Sequence, residues 1–324
     1  MKREKIKWGI IGPGKIARKF AISLKFVEDA ELYAIASRNP ERAAAFAEEM
    51  GTIKSYSSYE TMLEDPAIDI IYVATPHSFH HPHTLLCLNA GKPVLCEKPF
   101  ALNRQEVEEM ILTSHKRNVF LMEAMWTIFL PHIGYVKEII DSGKFGKVKT
   151  LKADFGFDTP FDAEGRLFLK SLGGGSLMDI GIYPVFLALH LLGTPKKIKA
   201  TAKLGKTGID EHCDIIFKYS GDTTALLHSS IIEKTPTLAV IELEAASIKI
   251  SPNWYEPTAV SITSKKGTET KVFEAASFGY EFEARHVQEM LRQNKTESEI
   301  MSFDKSLELI SILDKIRKQI GLEF

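Results

Sequence analysis

A short apolar strand near the N-terminus leads through a glycine-rich turn into a helix, and this arrangement constrains the fold more than any other part of the chain. The strand is predicted over Ile6–Ile11. Gly12 permits a tight turn, Gly14 lets the backbone approach a pyrophosphate, and the small Ala17 keeps the helix close to the sheet. A tight turn with nothing bound is the alternative, but the agreement of strand, turn and helix favours a dinucleotide site. The residues predicted to contact the dinucleotide here are Gly12, Pro13, Gly14, Lys15 and Ile16.

The second predicted strand, Glu31–Ala36, ends in Ser37 and Arg38. A site specific for NAD(H) usually has an acidic residue at this position to hold the ribose 2′-hydroxyl. Ser37 cannot play that part, whereas the guanidinium of Arg38 suits a 2′-phosphate. We therefore expect NADP(H) to be favoured over NAD(H), with both residues as cofactor contacts. The alternative is that Arg38 is an ordinary surface arginine.

Strands and helices alternate as far as Glu123. This alternation predicts a parallel, doubly wound α/β sheet, and hence a Rossmann dinucleotide-binding domain over residues 1–123. Beyond that point predicted strands follow one another through short turns such as Ser220-Gly221-Asp222, and short connections imply antiparallel pairing. Residues 124–324 are therefore predicted to form an α+β domain with a large, mostly antiparallel sheet; its assignment as a substrate and dimerisation domain comes from the family resemblance described below.

A histidine-rich run follows another predicted buried strand, which ends in Thr75, Pro76 and His77. Several histidines in sequence can indicate a metal site, but no cysteine or carboxylate lies nearby to complete one, and Pro82 interrupts the run. A loop at the end of the strand, beside the cofactor, is favoured instead. Thr75, Pro76, His77 and His80 are predicted to contact the cofactor.

The stretch Glu97-Lys98-Pro99 directly follows a predicted buried strand, Val94–Cys96. A lysine at the carboxyl end of a strand points into the crevice where open α/β sheets bind ligands, and Pro99 restricts Lys98 to an extended backbone. The alternative is a solvated lysine in a loop. Because the turn at Gly12 places a dinucleotide at the same edge of the sheet, we expect Lys98 to be catalytic and Glu97 and Lys98 to contact the cofactor.

Three consecutive glycines, Gly173-Gly174-Gly175, precede a helix predicted over Leu177–Leu192. Such a run has no evident packing use and indicates a loop that passes close to something or bends freely. Asp179 and Tyr183 are four residues apart and share one face of the helix, so a carboxylate and a phenol there can handle a proton. The alternative is an aspartate favoured by the helix dipole and a half-buried tyrosine.

Composition narrows the classes of function. A net charge of −1 gives no basic surface for nucleic acid. No apolar run approaches the roughly 20 residues of a membrane span, and the short apolar run behind the charged N-terminus is predicted to be a strand and not a signal peptide. The three cysteines, Cys87, Cys96 and Cys213, form no Cys-x-x-Cys motif and favour a reduced, cytoplasmic protein.

Together these motifs resemble the glucose–fructose oxidoreductase / inositol dehydrogenase (Gfo/Idh/MocA) family over nearly the whole chain. The most specific similarity is Glu97-Lys98-Pro99. The turn at Gly12, the loop Ala74-Thr75-Pro76-His77 and the glycine run with Asp179 are also similar to motifs of that family. Most members carry histidine where this chain has Tyr183.

Tyr183, together with Glu123-Ala124-Met125-Trp126, is similar to one branch of the family. That branch contains dimeric dihydrodiol dehydrogenase and NADP-linked D-xylose dehydrogenase. The resemblance adds Trp126 to the predicted cofactor contacts. The branch usually has an arginine where this chain has Ile128. The resemblance therefore does not extend to the substrate or cofactor contact at this position.

The resemblance also implies the roles of the catalytic residues. Lys98 would lie near the nicotinamide and the reacting oxygen, Asp179 would position the substrate hydroxyl, and Tyr183 would donate or accept the proton. A phenol has a pKa of about 10, and a nearby cation such as a lysine allows it to work at neutral pH.

We therefore expect an NADP(H)-dependent oxidoreductase acting on the hydroxyl of a sugar, polyol or diol, assembled as a homodimer or higher homo-oligomer. Epimerase or hydrolase chemistry with transient hydride transfer is one alternative. A non-enzymatic regulator that senses the dinucleotide is the other. The presence of Lys98, Asp179 and Tyr183 in one chain favours an enzyme.

Overall fold

The structure, a computed structural model, describes residues 4–324 and divides into two compact units. The first unit contains residues 4–126 and Ala275–Leu307, and the second contains Thr127–Glu274 and Glu308–Phe324. The sequence-based division after Glu123 places all later residues in one domain. In the structure the segment Ala275–Leu307 belongs instead to the first unit.

The first unit is built on a sheet of six parallel strands. The strands are β1 (Ile6–Ile11), β2 (Ala30–Ala36), β3 (Lys54–Tyr56), β4 (Ile70–Val73), β5 (Val94–Glu97) and β6 (Leu121–Ala124). Their order is β3-β2-β1-β4-β5-β6, so the chain changes direction across the sheet between β1 and β4. Ligands of doubly wound sheets bind outside the carboxyl ends of the strands at such a point. The predicted Rossmann architecture is confirmed.

Helices connect these strands. They are α1 (Lys15–Leu24), α2 (Pro40–Met50), α3 (Tyr59–Leu63), α4 (His80–Asn89) and α5 (Arg104–Arg117). The buried side chains of α1 include Ala17, Phe20 and Leu24, whose spacing gives one apolar face against the sheet. Asn103 is the N-cap of α5 and accepts a hydrogen bond from the Glu106 amide at 3.0 Å.

Helix α4 begins earlier than the sequence pattern predicts. We expected a loop for the histidine-rich run, but the helix begins at His80. Pro82 lies in the first turn, where backbone amides have no partner within the helix, so the missing N–H of proline costs nothing there. The histidine-rich run is therefore the start of a helix.

The segment Ala275–Leu307 packs against α1 through helix α8 (Tyr280–Arg292). The Arg285 guanidinium donates to the Phe26 carbonyl at 3.0 Å, and that of Arg292 lies 3.6 Å from the Asp29 carboxylate. These contacts join residues more than 250 positions apart in sequence, and strand and helix patterns carry no information about them.

The second unit is built on a sheet of eight strands. The strands are β7 (Val148–Gly156), β8 (Lys197–Leu204), β9 (Asp210–Lys218), β10 (Thr224–Ser230), β11 (Ala239–Leu243), β12 (Ala246–Ile250), β13 (Ala259–Ser264) and β14 (Gly267–Val272). Their order is β14-β13-β12-β11-β7-β10-β9-β8. Only β7 and β10 pair in parallel among these described strands, so the predicted large, mostly antiparallel sheet is confirmed.

Helices α6 (Pro131–Asp141) and α7 (Ile182–Leu192) belong to the second unit, and the division between units falls within α9 (Phe303–Ile320). One stretch, Lys170–Leu192, is long and apolar enough to cross a membrane by length and composition. In this structure 89% of its apolar window is buried inside the protein, as is usual for a core helix.

Helix α8 also places an acidic side chain in the core of the first unit. Glu283 is fully buried, and neither carboxylate oxygen has a hydrogen-bond partner among the described residues. Burial, reinforced by the nearby Glu97, raises the pKa of Glu283 well above its ordinary value. The folded chain therefore keeps Glu283 neutral, whereas the unfolded chain ionises it above a pKa of about 4.3.

This difference predicts that the contribution of Glu283 to the free energy of unfolding falls as the pH rises above about 4.3, because at this residue the unfolded chain then binds fewer protons than the folded one. Glu283→Gln cannot ionise and is expected to raise the free energy of unfolding by roughly 1–3 kcal/mol at neutral to mildly alkaline pH, and by little in mild acid. Urea unfolding across this pH range measures the effect, with the exposed Glu289→Gln on the same helix as control. An effect of Glu283→Gln that does not change with pH contradicts the assignment.

Candidate active site

The turn after β1 lies against the end of β4. Gly12 has a φ of +96°, a conformation that favours glycine, and a Cβ atom there would lie 2.8 Å from the Ala74 carbonyl oxygen. Backbone conformation and close approach therefore both require glycine at this position. The packing of the protein alone therefore requires glycine at position 12. The turn that Gly12 forms lies at the carboxyl edge of the sheet.

Gly14, by contrast, is not required by the packing of the protein. A Cβ atom there would meet only the Ala74 carbonyl oxygen among the described residues, at an ordinary contact distance of 3.8 Å. Helix α1 begins at the exposed Lys15, and no described side chain caps its first turn. Uncapped amides beside open backbone fit the pyrophosphate of a dinucleotide, with Pro13 and Ile16 in the same turn.

Arg38 is exposed directly after β2, beside aromatic residues of neighbouring loops. Its guanidinium carbon lies 5.2 Å from the centre of the Phe79 ring, a cation–π distance. Burial raises the pKa of Tyr59, and hydrogen bonding to Arg38 partly offsets the rise. Ser37 is buried, and its hydroxyl accepts a hydrogen bond from the Asn39 amide at 3.2 Å. The positive charge at this strand end is therefore held in place, and Ser37 supports the loop.

The loop after β4 contains Thr75, Pro76 and His77. The Thr75 hydroxyl lies 3.1 Å from Nδ1 of His83, which fixes the loop to helix α4. Thr75 and Pro76 are half-buried, and His77 is buried with its ring 5.7 Å from that of His80. Thr75 and Pro76 thus keep part of their surface at the carboxyl edge of the sheet.

His80 holds two loops together. Its side chain is fully buried, with Nδ1 2.7 Å from the Pro99 carbonyl and Nε2 2.8 Å from the Thr75 carbonyl. Burial lowers the pKa of His80 to about 4, so the neutral ring donates one hydrogen bond to this pair of carbonyls. Because both nitrogens face backbone oxygens, His80 positions the loops instead of contacting a cofactor directly as we expected.

The Glu97-Lys98-Pro99 loop is held from three sides. The Tyr72 hydroxyl donates to one oxygen of the buried Glu97 carboxylate, and the other oxygen accepts from the Lys98 amide at 3.2 Å. His80 binds the Pro99 carbonyl, as described above. The Glu123 carboxylate accepts from the Phe100 amide at 3.0 Å, and burial raises the pKa of Glu123 to about 7.

Lys98 is the one residue of Val94–Phe100 that is not buried. The loop backbone on both sides of it is fixed by buried hydrogen bonds, so the position from which its side chain extends is fixed as well. Glu97 has a supporting role, because its carboxylate is buried and occupied by Tyr72 and the loop amide.

Trp126 lies in the core of the first unit. Its ring is 1% exposed and packs 4.3 Å from the ring of Tyr280. The side chain that was predicted to contact the cofactor is therefore buried against Tyr280. Ile128 is also buried.

The glycine run of the second unit is tightly packed. A Cβ atom on Gly174 would lie 2.7 Å from the Leu167 carbonyl oxygen, and one on Gly175, whose φ is +119°, would lie 2.2 Å from the Asp210 carboxylate. We expected a run without packing use, but close approach of neighbouring groups requires two of these glycines. Asp210 in turn accepts a hydrogen bond from the Leu177 amide at 2.6 Å.

The helical turn that carries Asp179 differs from the predicted α-helix. Leu177–Gly181 is π-helical and continues into α7 at Ile182. Such turns are rare and occur frequently at functional sites. A Cβ atom on Gly181 would lie 2.7 Å from the Ser229 hydroxyl, so this turn packs closely on β10.

Asp179 is paired with an arginine. The Arg166 guanidinium donates to Oδ1 of Asp179 at 2.9 Å, and the carboxylate is largely buried while the arginine is partly exposed. This ion pair sets the orientation of the carboxylate. Arg166 lies in an irregular segment before the glycine run, where no periodic pattern predicts its partner.

Tyr183 is buried within an aromatic cluster in the second unit. Its ring lies 5.6 Å from that of Phe155 and 5.5 Å from that of Tyr255, and these two rings stack on each other at 4.1 Å. The surrounding rings fix the direction of the phenol. Tyr255 lies in a loop between β12 and β13 and could not be linked to Tyr183 from sequence.

The structure thus brings together the predicted residues of the first unit around the ends of β1, β4 and β5. These are the turn at Gly12, the loop at Thr75 and the loop at Lys98. Asp179 and Tyr183 belong to the second unit. The supporting contacts of Tyr72, Phe79 and Arg166 were not predicted. Of these, the position of Tyr72 on β4, the strand beside β5, is the only sequence signal that could have suggested its role.

Comparison with protein families identifies both parts of the chain. Residues 6–125 match the family described as an oxidoreductase family with an NAD-binding Rossmann fold. Residues 133–249 match the GFO/IDH/MocA C-terminal domain. Together the two matches cover well over half of the chain.

Relatives of known name align over the full chain. Trans-1,2-dihydrobenzene-1,2-diol dehydrogenase of Xenopus tropicalis is 37% identical over 328 residues, covering 98% of this chain and 99% of that protein. The human protein of the same name is 32% identical over 330 residues, covering 98% of both.

Solved structures share the fold. KijD10, a 3-ketoreductase from Actinomadura kijaniata in complex with NADP and TDP-benzene, superposes with a TM-score of 0.89 at 24% identity over 98% of both chains. Aldose-aldose oxidoreductase from Caulobacter crescentus, complexed with glycerol, gives a TM-score of 0.89 at 23% identity over 98% of both chains. The family predicted from the sequence motifs is confirmed: the chain belongs to the GFO/IDH/MocA family of oxidoreductases and is an NAD(P)-dependent dehydrogenase.

Proposed function

We propose that the chain is an NADP(H)-dependent dehydrogenase that oxidises a CH–OH group of a diol, sugar or polyol, with a vicinal diol as the first substrate to test. The observation that carries the proposal is the accessible Lys98 on a rigid, buried loop at the carboxyl end of β5. The full-length similarity to proteins named trans-1,2-dihydrobenzene-1,2-diol dehydrogenase supports a diol.

Lys98 is proposed to stabilise negative charge on the reacting oxygen as the hydroxyl loses its proton. An ammonium group that extends from a fixed backbone position is already close to the charge that it stabilises, which reduces the reorganisation needed during the reaction. The bound cofactor would supply the hydride acceptor, and the uncapped first turn of α1 with Gly14 would hold its pyrophosphate.

Asp179 and Tyr183 are proposed to complete the proton handling. Arg166 fixes one oxygen of the Asp179 carboxylate, and the orientation that results suits a group that positions a substrate hydroxyl. Tyr183 is proposed to accept the proton of that hydroxyl during oxidation and to donate it during reduction. Its packing against Phe155 and Tyr255 keeps the phenol in a single orientation.

NADP(H) is the proposed cofactor in preference to NAD(H). The support is Arg38 after β2, where no acidic residue is present to hold a ribose 2′-hydroxyl. Its guanidinium lies over Phe79 at the end of β2, where it would pair with the 2′-phosphate of a bound NADP(H). A homo-oligomer and a cytoplasmic location stay predictions of the sequence.

Replacing Lys98 tests the catalytic proposal. Lys98→Met is expected to lower kcat for diol oxidation by about 100- to 10,000-fold, the usual size of a general acid–base or charge-stabilising contribution. The Kd for NADP⁺ is expected to change by less than about tenfold, because the pyrophosphate is held by the Gly12 turn. NADPH absorbance measures turnover, and quenching of protein fluorescence measures cofactor binding.

The matched control is Lys116→Met, the same substitution at an exposed position near the end of α5. It should leave both kcat and cofactor affinity unchanged. Undiminished turnover in Lys98→Met would exclude Lys98 from the chemistry. Absence of NADPH formation by the unaltered protein across a panel of diols, sugars and polyols would exclude the proposed reaction.

Replacing Arg38 tests the cofactor proposal. Arg38→Ala is expected to raise KM for NADP⁺ by about 10- to 100-fold, the loss of one charge-assisted contact, and to change KM for NAD⁺ by less than about threefold. Arg104→Ala removes an equally exposed arginine, paired with Glu108 on α5, and should change neither value. Better use of NAD⁺ than of NADP⁺ by the unaltered protein would contradict the assignment.

A further inference from the structure

Two neighbouring strands of the second unit present a histidine–aspartate–histidine cluster on one face of the sheet. Asp214 on β9 lies directly opposite His228 on β10, and His212 lies two residues before Asp214. Side chains two apart on a strand point to the same face, so all three project together. The intervening Cys213 is fully buried on the other face, whereas Asp214 is exposed and the two histidines are half-buried.

The aspartate lies between the two imidazole rings. Its Oδ2 is 2.8 Å from Nε2 of His212, and its Oδ1 is 2.8 Å from Nδ1 of His228. The ring centres are 4.5 Å apart with the ring planes nearly perpendicular. The carboxylate is therefore already aligned with both rings.

One ligand atom from each residue lies within 4.8 Å of the other two. Zinc binds imidazole nitrogen and carboxylate oxygen at about 2.0–2.2 Å, which places neighbouring ligand atoms of a tetrahedral site about 3.3–3.6 Å apart. The two contacts of Asp214 are somewhat shorter than this and the whole set lies within 4.8 Å, so modest side-chain rotations would bring the three ligand atoms to that spacing. In the metal-binding form each neutral imidazole carries its proton on the opposite ring nitrogen.

The next residue along this face is not a further ligand. Asp154 on β7 pairs with His228, but its carboxylate oxygens accept hydrogen bonds from the amides of Thr237 and Leu238 at 2.6 and 3.0 Å. A cluster of two imidazoles and one carboxylate leaves the remaining coordination positions to water. Imidazole ligands suit zinc, nickel and copper, whereas magnesium prefers oxygen alone.

We propose that His212, Asp214 and His228 form a binding site for a divalent transition-metal ion of the zinc class, which bridges strands β9 and β10. The site is separate from Asp179 and Tyr183, so it does not depend on the proposed dehydrogenase activity. An ion that binds only the folded chain raises thermal stability.

Isothermal titration with Zn²⁺, and with Mg²⁺ for comparison, tests the proposal on the full chain. The unaltered protein is expected to bind one equivalent of Zn²⁺, with a rise in Tm, and to show no such response to Mg²⁺. Asp214→Asn and His228→Gln are each expected to weaken Zn²⁺ binding at least about tenfold and to abolish the rise in Tm, because each removes a direct ligand.

His81→Gln is the matched control. His81 is also a partly exposed histidine paired with a carboxylate, that of Glu109 at 3.1 Å, and this pair is not part of a three-residue cluster. The substitution should leave Zn²⁺ binding unchanged. Circular dichroism verifies that each variant is folded before titration. Absence of saturable Zn²⁺ binding by the unaltered protein would overturn the proposal. So would a Zn²⁺ affinity of Asp214→Asn and His228→Gln equal to that of the unaltered protein.

Discussion

The rest of the candidate site depends on the buried hydrogen bonds that hold the loop after β5. Tyr72 and Glu123 reach it from the strands on either side, and His80 reaches it from helix α4. Each of these groups would be costly to bury alone, and each has at least one polar contact with the loop. A flexible lysine stem thereby extends from a fixed backbone position.

Close contacts of the backbone with neighbouring groups also fix the position of the chain. Gly12 meets the Ala74 carbonyl, and Gly175 meets the carboxylate of Asp210, so in both places a side chain would displace a neighbouring group. Both glycines begin the segment that leads to a proposed functional residue. In each unit the position of this segment therefore depends on close contacts that leave no room for a Cβ atom.

The features that the sequence predicts well are local ones. The strand–turn–helix at Gly12 and the position of Lys98 after a buried strand depend on neighbouring residues, and the structure has both elements where they were expected. The return of Ala275–Leu307 to the first unit depends on polar contacts between distant residues, such as Arg285 with Phe26. The ion pair of Arg166 with Asp179 likewise requires a folded chain, because an irregular segment carries no periodicity from which a partner can be inferred.

The proposed reaction moves a hydride from the carbon of a CH–OH group to NADP⁺. Its most direct test uses a trans-1,2-diol that carries deuterium on both carbinol carbons, with NADP⁺ as the acceptor and mass spectrometry of the NADPH formed. We expect NADPH with one deuterium at C4 of the nicotinamide ring and a slower reaction than with the unlabelled diol. NADPH without deuterium, formed at the same rate from both diols, would contradict it.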